Sequence, residues 1–94
     1  MKNKERIIER LQKQFPNIHD IHDAEEFDGS DGIHLGNSAE GGTIDDIPAC
    51  DYYYEDYNES LYIMGVHKKL VKALNREGLY AECYDPGTYI AYED

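Results

Sequence analysis

His19 and His22, three residues apart in the run His19-Asp20-Ile21-His22-Asp23, are the side chains of this chain best spaced to hold a metal. On a helix, residues i and i+3 share a face, so the pair could chelate Zn²⁺. A structural zinc site takes four ligands, usually His and Cys. Cys50 is the first candidate to join the histidines, and His34 and Cys83 are also available. No compact Cys-x-x-Cys pair accompanies them. Ile18 and Ile21 equally suit a short amphipathic turn with its histidines in water. Asp28-Gly-Ser-Asp31-Gly is out of register for a calcium loop, because oxygen ligands are needed where Gly32 and Ala39 fall. Gly36-Asn-Ser-Ala-Glu-Gly-Gly lacks the Gly-Lys-Ser/Thr end of a phosphate loop and the Gly-x-Ser-x-Gly of a nucleophile elbow. Ser38 has no base near it in sequence. No nucleophile, base and orienting group are visible together, so the chain reads as a binding protein and not an enzyme. No cofactor is expected, with Zn²⁺ as the alternative.

Carboxylates are the more prominent chemistry. Net charge is −11 over 94 residues, and no Lys or Arg occurs between Lys13 and Lys68. That interval holds thirteen Asp and Glu. All nine basic side chains lie in residues 2–13 and 68–76. Like charges gathered in this way repel one another, and such a surface serves solubility, cation binding or a basic partner. Direct nucleic-acid binding is not expected with this charge, since phosphates demand a basic face. Duplex DNA carries a charge about every 1.7 Å of axis. Alternate residues on a strand stand roughly 6.6 Å apart. Rows of Asp and Glu can therefore enter a basic groove built for nucleic acid. The candidate partner-binding residues are Asp45, Asp46, Asp51, Glu55, Asp56 and Glu59 for charge, with Tyr52, Tyr53, Tyr54 and Tyr57 as anchors. Tyr62 is a further ring that could stack on partner guanidinium groups. The tyrosines equally suit a core, and the carboxylates a plain solvated surface.

The elements that must position these residues follow from periodicity. Ile7, Ile8, Leu11 and Phe15 make one helical stripe, Asn3 is a cap candidate and Pro16 ends the run, giving a helix over 1–15. Residues 16–57 form an acidic region of turns and short strands, with strands expected at Ile33–Leu35 and Thr43–Ile47. Residues 49–57 fit either a strand or a helix. A second, amphipathic helix is expected over 60–77, capped by Asn58 or Ser60. Ile63, Val66, His67, Leu70, Val71 and Leu74 form its apolar face, and Gly78 follows its end. Lys68, Lys72 and Arg76 line the opposite face, where they could meet water, the acidic block or an acidic neighbour in a homodimer. A hairpin over 79–92 follows, turning at Asp85-Pro86-Gly87-Thr88 with a bulge glycine. Leu79, Ala81 and Cys83 face one side of it and Tyr80, Glu82 and Tyr84 the other. Together these give an α+β domain spanning residues 1–94, with the hairpin in a small antiparallel sheet.

Ninety-four residues can bury roughly 60–65% of their unfolded surface, enough for one modest core. No apolar run approaches the roughly 20 residues of a membrane span, and the charged N-terminal residues show no apolar core of a secretory signal. A cytoplasmic setting with Cys50 and Cys83 as free thiols, each a small buried hydrophobe, is expected.

In size, acidity and tyrosine content the whole chain resembles the small acidic inhibitors of phages and mobile elements, the anti-CRISPR and anti-restriction proteins. That resemblance implies a basic nucleic-acid-binding partner, such as a CRISPR effector or restriction enzyme, met in the host cytoplasm. The remaining alternatives are a small zinc-stabilised domain using His19, His22 and Cys, and an acidic accessory domain with another protein partner.

Overall fold

In the computed structural model, residues 1–52 and 60–94 are described. Helix α1 (Lys4–Gln14) turns Ile7, Ile8 and Leu11 inward, and Phe15 closes the stripe as the C-cap. Asn3 holds the N-cap position, but in left-handed geometry (φ 58°) and without a side-chain cap bond. The chain continues through β1 (Ile21–Asp23), the short helix α2 (Glu25–Asp28), β2 (Ile33–Leu35), β3 (Thr43–Ile44) and β4 (Ile47–Pro48). After residue 60 come β5 (Tyr62–Ile63), β6 (Val66–His67), α3 (Lys68–Arg76), β7 (Leu79–Asp85) and β8 (Thr88–Glu93). An antiparallel sheet of four strands, in the order β1-β2-β8-β7, is flanked by two small hairpins, β3-β4 and β5-β6. The expected α+β architecture is therefore present: N-terminal helix, short strands, helix and a C-terminal hairpin within an antiparallel sheet. Among the described residues no helix is long and apolar enough to cross a membrane.

Side chains alternate between the faces of a strand, and both long helices cover the same face. Ile21, Ile33, Leu35, Ala91, Tyr89 and Leu79 meet Ile7, Ile8 and Leu11 of α1 and Leu70, Ala73 and Leu74 of α3 in one buried cluster. Arg10 joins the helices by a two-pronged bond to Glu77 (2.6 and 2.9 Å). Gly36 permits a close crossing. Its φ is 58°, and a Cβ there would lie 1.8 Å from the His19 carbonyl oxygen.

Four local readings differ from the structure. The segment holding His19 and His22 is not helical: Ile21–Asp23 pairs with Ile33–Leu35 as a strand. The β2 partner outcompeted a turn too short to bury Ile18 and Ile21 on its own. The second helix is shorter than 60–77. Tyr62–Ile63 and Val66–His67 form a hairpin around Met64 and Gly65, both at positive φ (51° and 80°), as a two-residue primed turn requires. His67 is the N-cap of α3, its Nδ1 accepting the Lys69 N–H at 3.0 Å, so neither Asn58 nor Ser60 caps it. Gly78, at φ 75°, does follow the helix end. Residues 43–48 form a hairpin and not one strand, with Asp45 and Asp46 at its tip. Finally, β7 and β8 are joined by Pro86-Gly87, but the irregularity falls between Cys83 and Asp85 and Gly87 has no positive φ. Pro86 and Gly87 thus make the turn alone, and Tyr84 is the extra residue.

Candidate functional site

The predicted partner-binding residues fall into two groups. Tyr53, Tyr54, Glu55, Asp56, Tyr57 and Glu59 lie outside the described residues, as does the strand-or-helix question for most of 49–57. Asp45 and Asp46 occupy the β3-β4 tip with φ of 52° and 66°. Asp tolerates this left-handed pair better than most residues, but the geometry favours Gly or Asn. Asp45 pairs with Lys69 at 2.5 Å, and this bond holds its carboxyl below the ordinary range. Asp46 projects into solvent. Asp51 is half-buried, its N–H donating to the Gly65 carbonyl at 2.7 Å. Tyr52 is exposed. Tyr62, by contrast, is buried, and its hydroxyl donates to the Pro48 carbonyl at 2.7 Å. It belongs to the packing and not to a binding surface.

Part of the acidic block is matched within the molecule. Lys4 Nζ reaches Asp23 at 3.1 Å and Asp31 at 2.8 Å. Lys4, followed by the Met1 amino group, lowers the Asp31 carboxyl to about 2. Among the described residues Lys69, and not the Lys68/Lys72/Arg76 stripe, supplies the other basic side-chain contact to the block. Among the described residues, Asp20, Glu25, Glu26, Glu40 and Asp46 have no Lys or Arg within salt-bridge reach.

The histidine and cysteine candidates are placed as follows. His19 precedes β1, its backbone bonded to Asn37 through N–H to Oδ1 (2.8 Å) and carbonyl to Asn37 N–H (2.9 Å). His22 is in β1, with Nδ1 2.6 Å from the Asp20 carbonyl. Cys50 is buried, bridged to Val66, and burial pushes its thiol up to about 12. The buried Ser38 hydroxyl lies near that thiol without a partner in hydrogen-bond geometry among the described residues. Cys83 is exposed, so the expectation of two buried thiols holds only for Cys50; both are free. Among the described residues no three His, Cys, Asp or Glu gather as a metal-binding group.

Sequence reasoning named His22 and His34 only as metal candidates and did not foresee the aromatic face they form away from α1 and α3. Strand register places His22, His34, Ile90 and Glu82 in one row, and Tyr92 and Tyr80 in the next. His22 stacks on His34 with centroids 4.5 Å apart. Phe27 of α2 sets its ring edgewise to His34 (4.8 Å) and to Tyr84 (5.0 Å). Beneath them Ile90 is fully buried. Gly32 fits against it because a Cβ there would come within 2.7 Å of Ile90 Cγ2. Burial, then the neighbouring His22, holds His34 below the ordinary imidazole range, while Asp20, Asp28 and Asp85 act in the opposite direction. The signal for this face was present in the outward positions of Tyr80, Glu82 and Tyr84. What lacked a signal was the placement of α2 and β2 beside them.

An apolar cavity of about 640 Å³ lies between the β5-β6 hairpin, α3 and β7, with Ile63, Met64, Val71 and Leu74 in its wall. The helical reading of residues 60–67 concealed it. Comparison with protein-family models, with curated proteins and with solved structures returned no match.

Proposed function

We propose that this chain acts by binding, as an acidic inhibitor that covers a basic nucleic-acid-binding surface of a partner protein. Its most concrete form is an anti-CRISPR or anti-restriction protein working in the cytoplasm of a bacterial host. The observation that carries this reading is the separation of charge. All nine Lys and Arg belong to residues 2–13 and 68–76, the segments of α1 and α3, while the intervening chain offers carboxylates only. Internal pairs to Lys4 and Lys69 use Asp23, Asp31 and Asp45, and among the described residues Asp20, Glu25, Glu26, Glu40 and Asp46 form no such pair and are open to a partner. Such a surface gives fast, salt-sensitive association with a basic groove. Catalysis forms no part of the proposal, and neither does zinc: the strand conformation of residues 21–23 removes the helical spacing on which the His19/His22 site was built.

The test is capture of partners from bacterial lysate at low and high salt, followed by DNA-cleavage assays on the captured nuclease. Wild type is compared with a variant carrying Lys at Asp51, Glu55, Asp56 and Glu59. Expected is a nucleic-acid-handling protein held at low salt, released at high salt, lost with the variant and inhibited by the wild type. Binding that is indifferent to both salt and charge reversal would overturn the proposal.

A further inference from the structure

The sheet has two faces of opposite character, and among the described residues only one is closed by the long helices α1 and α3. Across the outer face run two connected sets of rings: His22–His34–Phe27–Tyr84, at successive separations of 4.5, 4.8 and 5.0 Å, and Tyr80–Tyr92 at 6.2 Å. Three of these rings are exposed: Phe27 to 44%, Tyr80 to 41% and Tyr84 to 56%. Scattered exposed aromatics are ordinary; a contiguous set on one sheet face marks an interaction surface. Carboxylates border it. Asp28 Oδ2 meets the Tyr92 hydroxyl and Glu82 Oε2 the Tyr80 hydroxyl, each at 3.4 Å, and Asp20 and Asp85 lie near enough to bear on His34. The Lys and Arg residues are on α1, α3 and the segment before α1.

We propose that this outer face docks an arginine-bearing segment of a protein partner, with guanidinium groups lying on Phe27, Tyr80 and Tyr84 and bonding to Asp28, Glu82 and Asp85. The commitment to arginine rests on complementarity. A planar guanidinium stacks on an aromatic ring and bonds a carboxylate through its edge at once, whereas an ammonium is a strongly hydrated point charge. Aromatic sheet faces also suit nucleic-acid bases, but such sites pair the rings with a basic groove for the phosphates. Here the border is acidic, so that ligand is repelled. The surface uses residues other than Asp45, Asp46 and Asp51 and adds a second contact to the binding role proposed above.

The experiment is a titration of isotope-labelled full-length protein with a twelve-residue peptide of alternating Arg and Ser, followed by backbone amide shifts at low salt. A Lys-for-Arg peptide is the comparison. Expected are shifts concentrated at residues 27, 80–85 and 92, and several-fold weaker binding of the lysine peptide. Phe27→Ser with Tyr84→Ser should weaken binding about five- to thirtyfold, from roughly 0.5–1 kcal/mol for each exposed cation–π contact. Glu82→Lys, which removes no ring, should weaken it at least as much, and unchanged amide dispersion certifies the fold of each variant. Equal binding of both peptides, or shifts confined to residues 45–59 with the ring variants unaffected, would overturn the docking face while leaving the inhibitor reading intact. Absence of any peptide binding would overturn it too, as would concentration-dependent self-association lost in Tyr84→Ser, which would assign the face to a second copy of this chain. Retained peptide binding in the variant with Lys at 51, 55, 56 and 59, beside lost lysate capture, would separate the two surfaces.

Discussion

The same four strands present Ile21, Ile33, Leu35, Ala91 and Leu79 to one side and His22, His34, Tyr80, Glu82 and Tyr92 to the other. The first side is covered by α1 and α3 and excludes water. Among the described residues the second carries only the four-residue α2, which shields Ile90 and leaves the rings of Phe27, Tyr80 and Tyr84 in contact with solvent. Burial and exposure thus fall on opposite sides of one sheet. The covered side holds aliphatic groups, whose burial is favourable without regard to direction. The open side holds groups that are at once apolar and polar, able to stay wet when alone and to be covered by a partner.

The largest expected effect breaks both sides together. Gly36→Ala would drive a Cβ into the His19 carbonyl at a positive φ, where the β1-β2 pairing begins. It should cost more than about 4 kcal/mol, at the severe end for a single substitution. Chemical denaturation would show a protein largely unfolded before denaturant is added; a midpoint near that of wild type would refute the close crossing.

A second pair of variants separates the sides. Leu35→Ala, in the covered core, should lose about 2–5 kcal/mol, whereas Tyr84→Ser on the open side should stay within about 0.5 kcal/mol. Equal losses in urea melts would mean that the outer rings are structural and that the contrast drawn here is wrong.

Acid sharpens the comparison further. His34 on the open side and His67 at the start of α3 are both held below the ordinary imidazole range, chiefly by burial. The unfolded chain takes up these protons near pH 6.5 and the folded chain only at lower pH, so stability falls as pH drops through that region. Asp23, Asp31, Asp45 and Glu77 are lowered by their hydrogen-bonded and charged partners. Their contribution is complete above about pH 5 and is lost progressively as pH falls toward 2. Denaturation midpoints from pH 8 to pH 2 should therefore decline in two steps. His67→Asn, which can still cap α3, should shrink the upper step, and an unaltered upper step would assign it to other groups.

The smallest effect concerns the Asp45-Asp46 tip. Asp46→Gly relieves a left-handed residue and should raise stability by up to about 1 kcal/mol, measurable as a higher thermal midpoint. A lower midpoint would show that the Asp46 carboxylate, and not the turn, stabilises the hairpin.

Much of this architecture was legible along the chain. The Ile7, Ile8, Leu11 stripe marked α1, the alternation Ile33-His34-Leu35 marked β2, and Leu79–Asp85 with Thr88–Glu93 read as a hairpin around Pro86-Gly87. Where the reading failed, short elements were decided by neighbours. Ile63, Val66 and His67 fit a helical stripe extending into Leu70 and Leu74, but Gly65 weakens a helix and suits a primed turn, and the hairpin prevailed. His22 sat at helical spacing from His19, yet its backbone bonds go to β2. Of the candidate site, Asp45, Asp46 and Tyr52 were placed on exposed chain, while Tyr62 and Cys50 proved to be buried.

By itself, the sequence determined the charge pattern, the turn positions and the alternation that gives each strand two unlike sides. These are local properties, set by residue type and by periods of 3.6 and 2.0. Only the tertiary structure decided which side α1 and α3 would close, that Lys4 and Lys69 would neutralise part of the acidic block, and that Phe27, from a turn-rich stretch, would lie beside Tyr84, 57 residues further on. Those outcomes depend on contacts between distant segments, whose geometry no local period encodes.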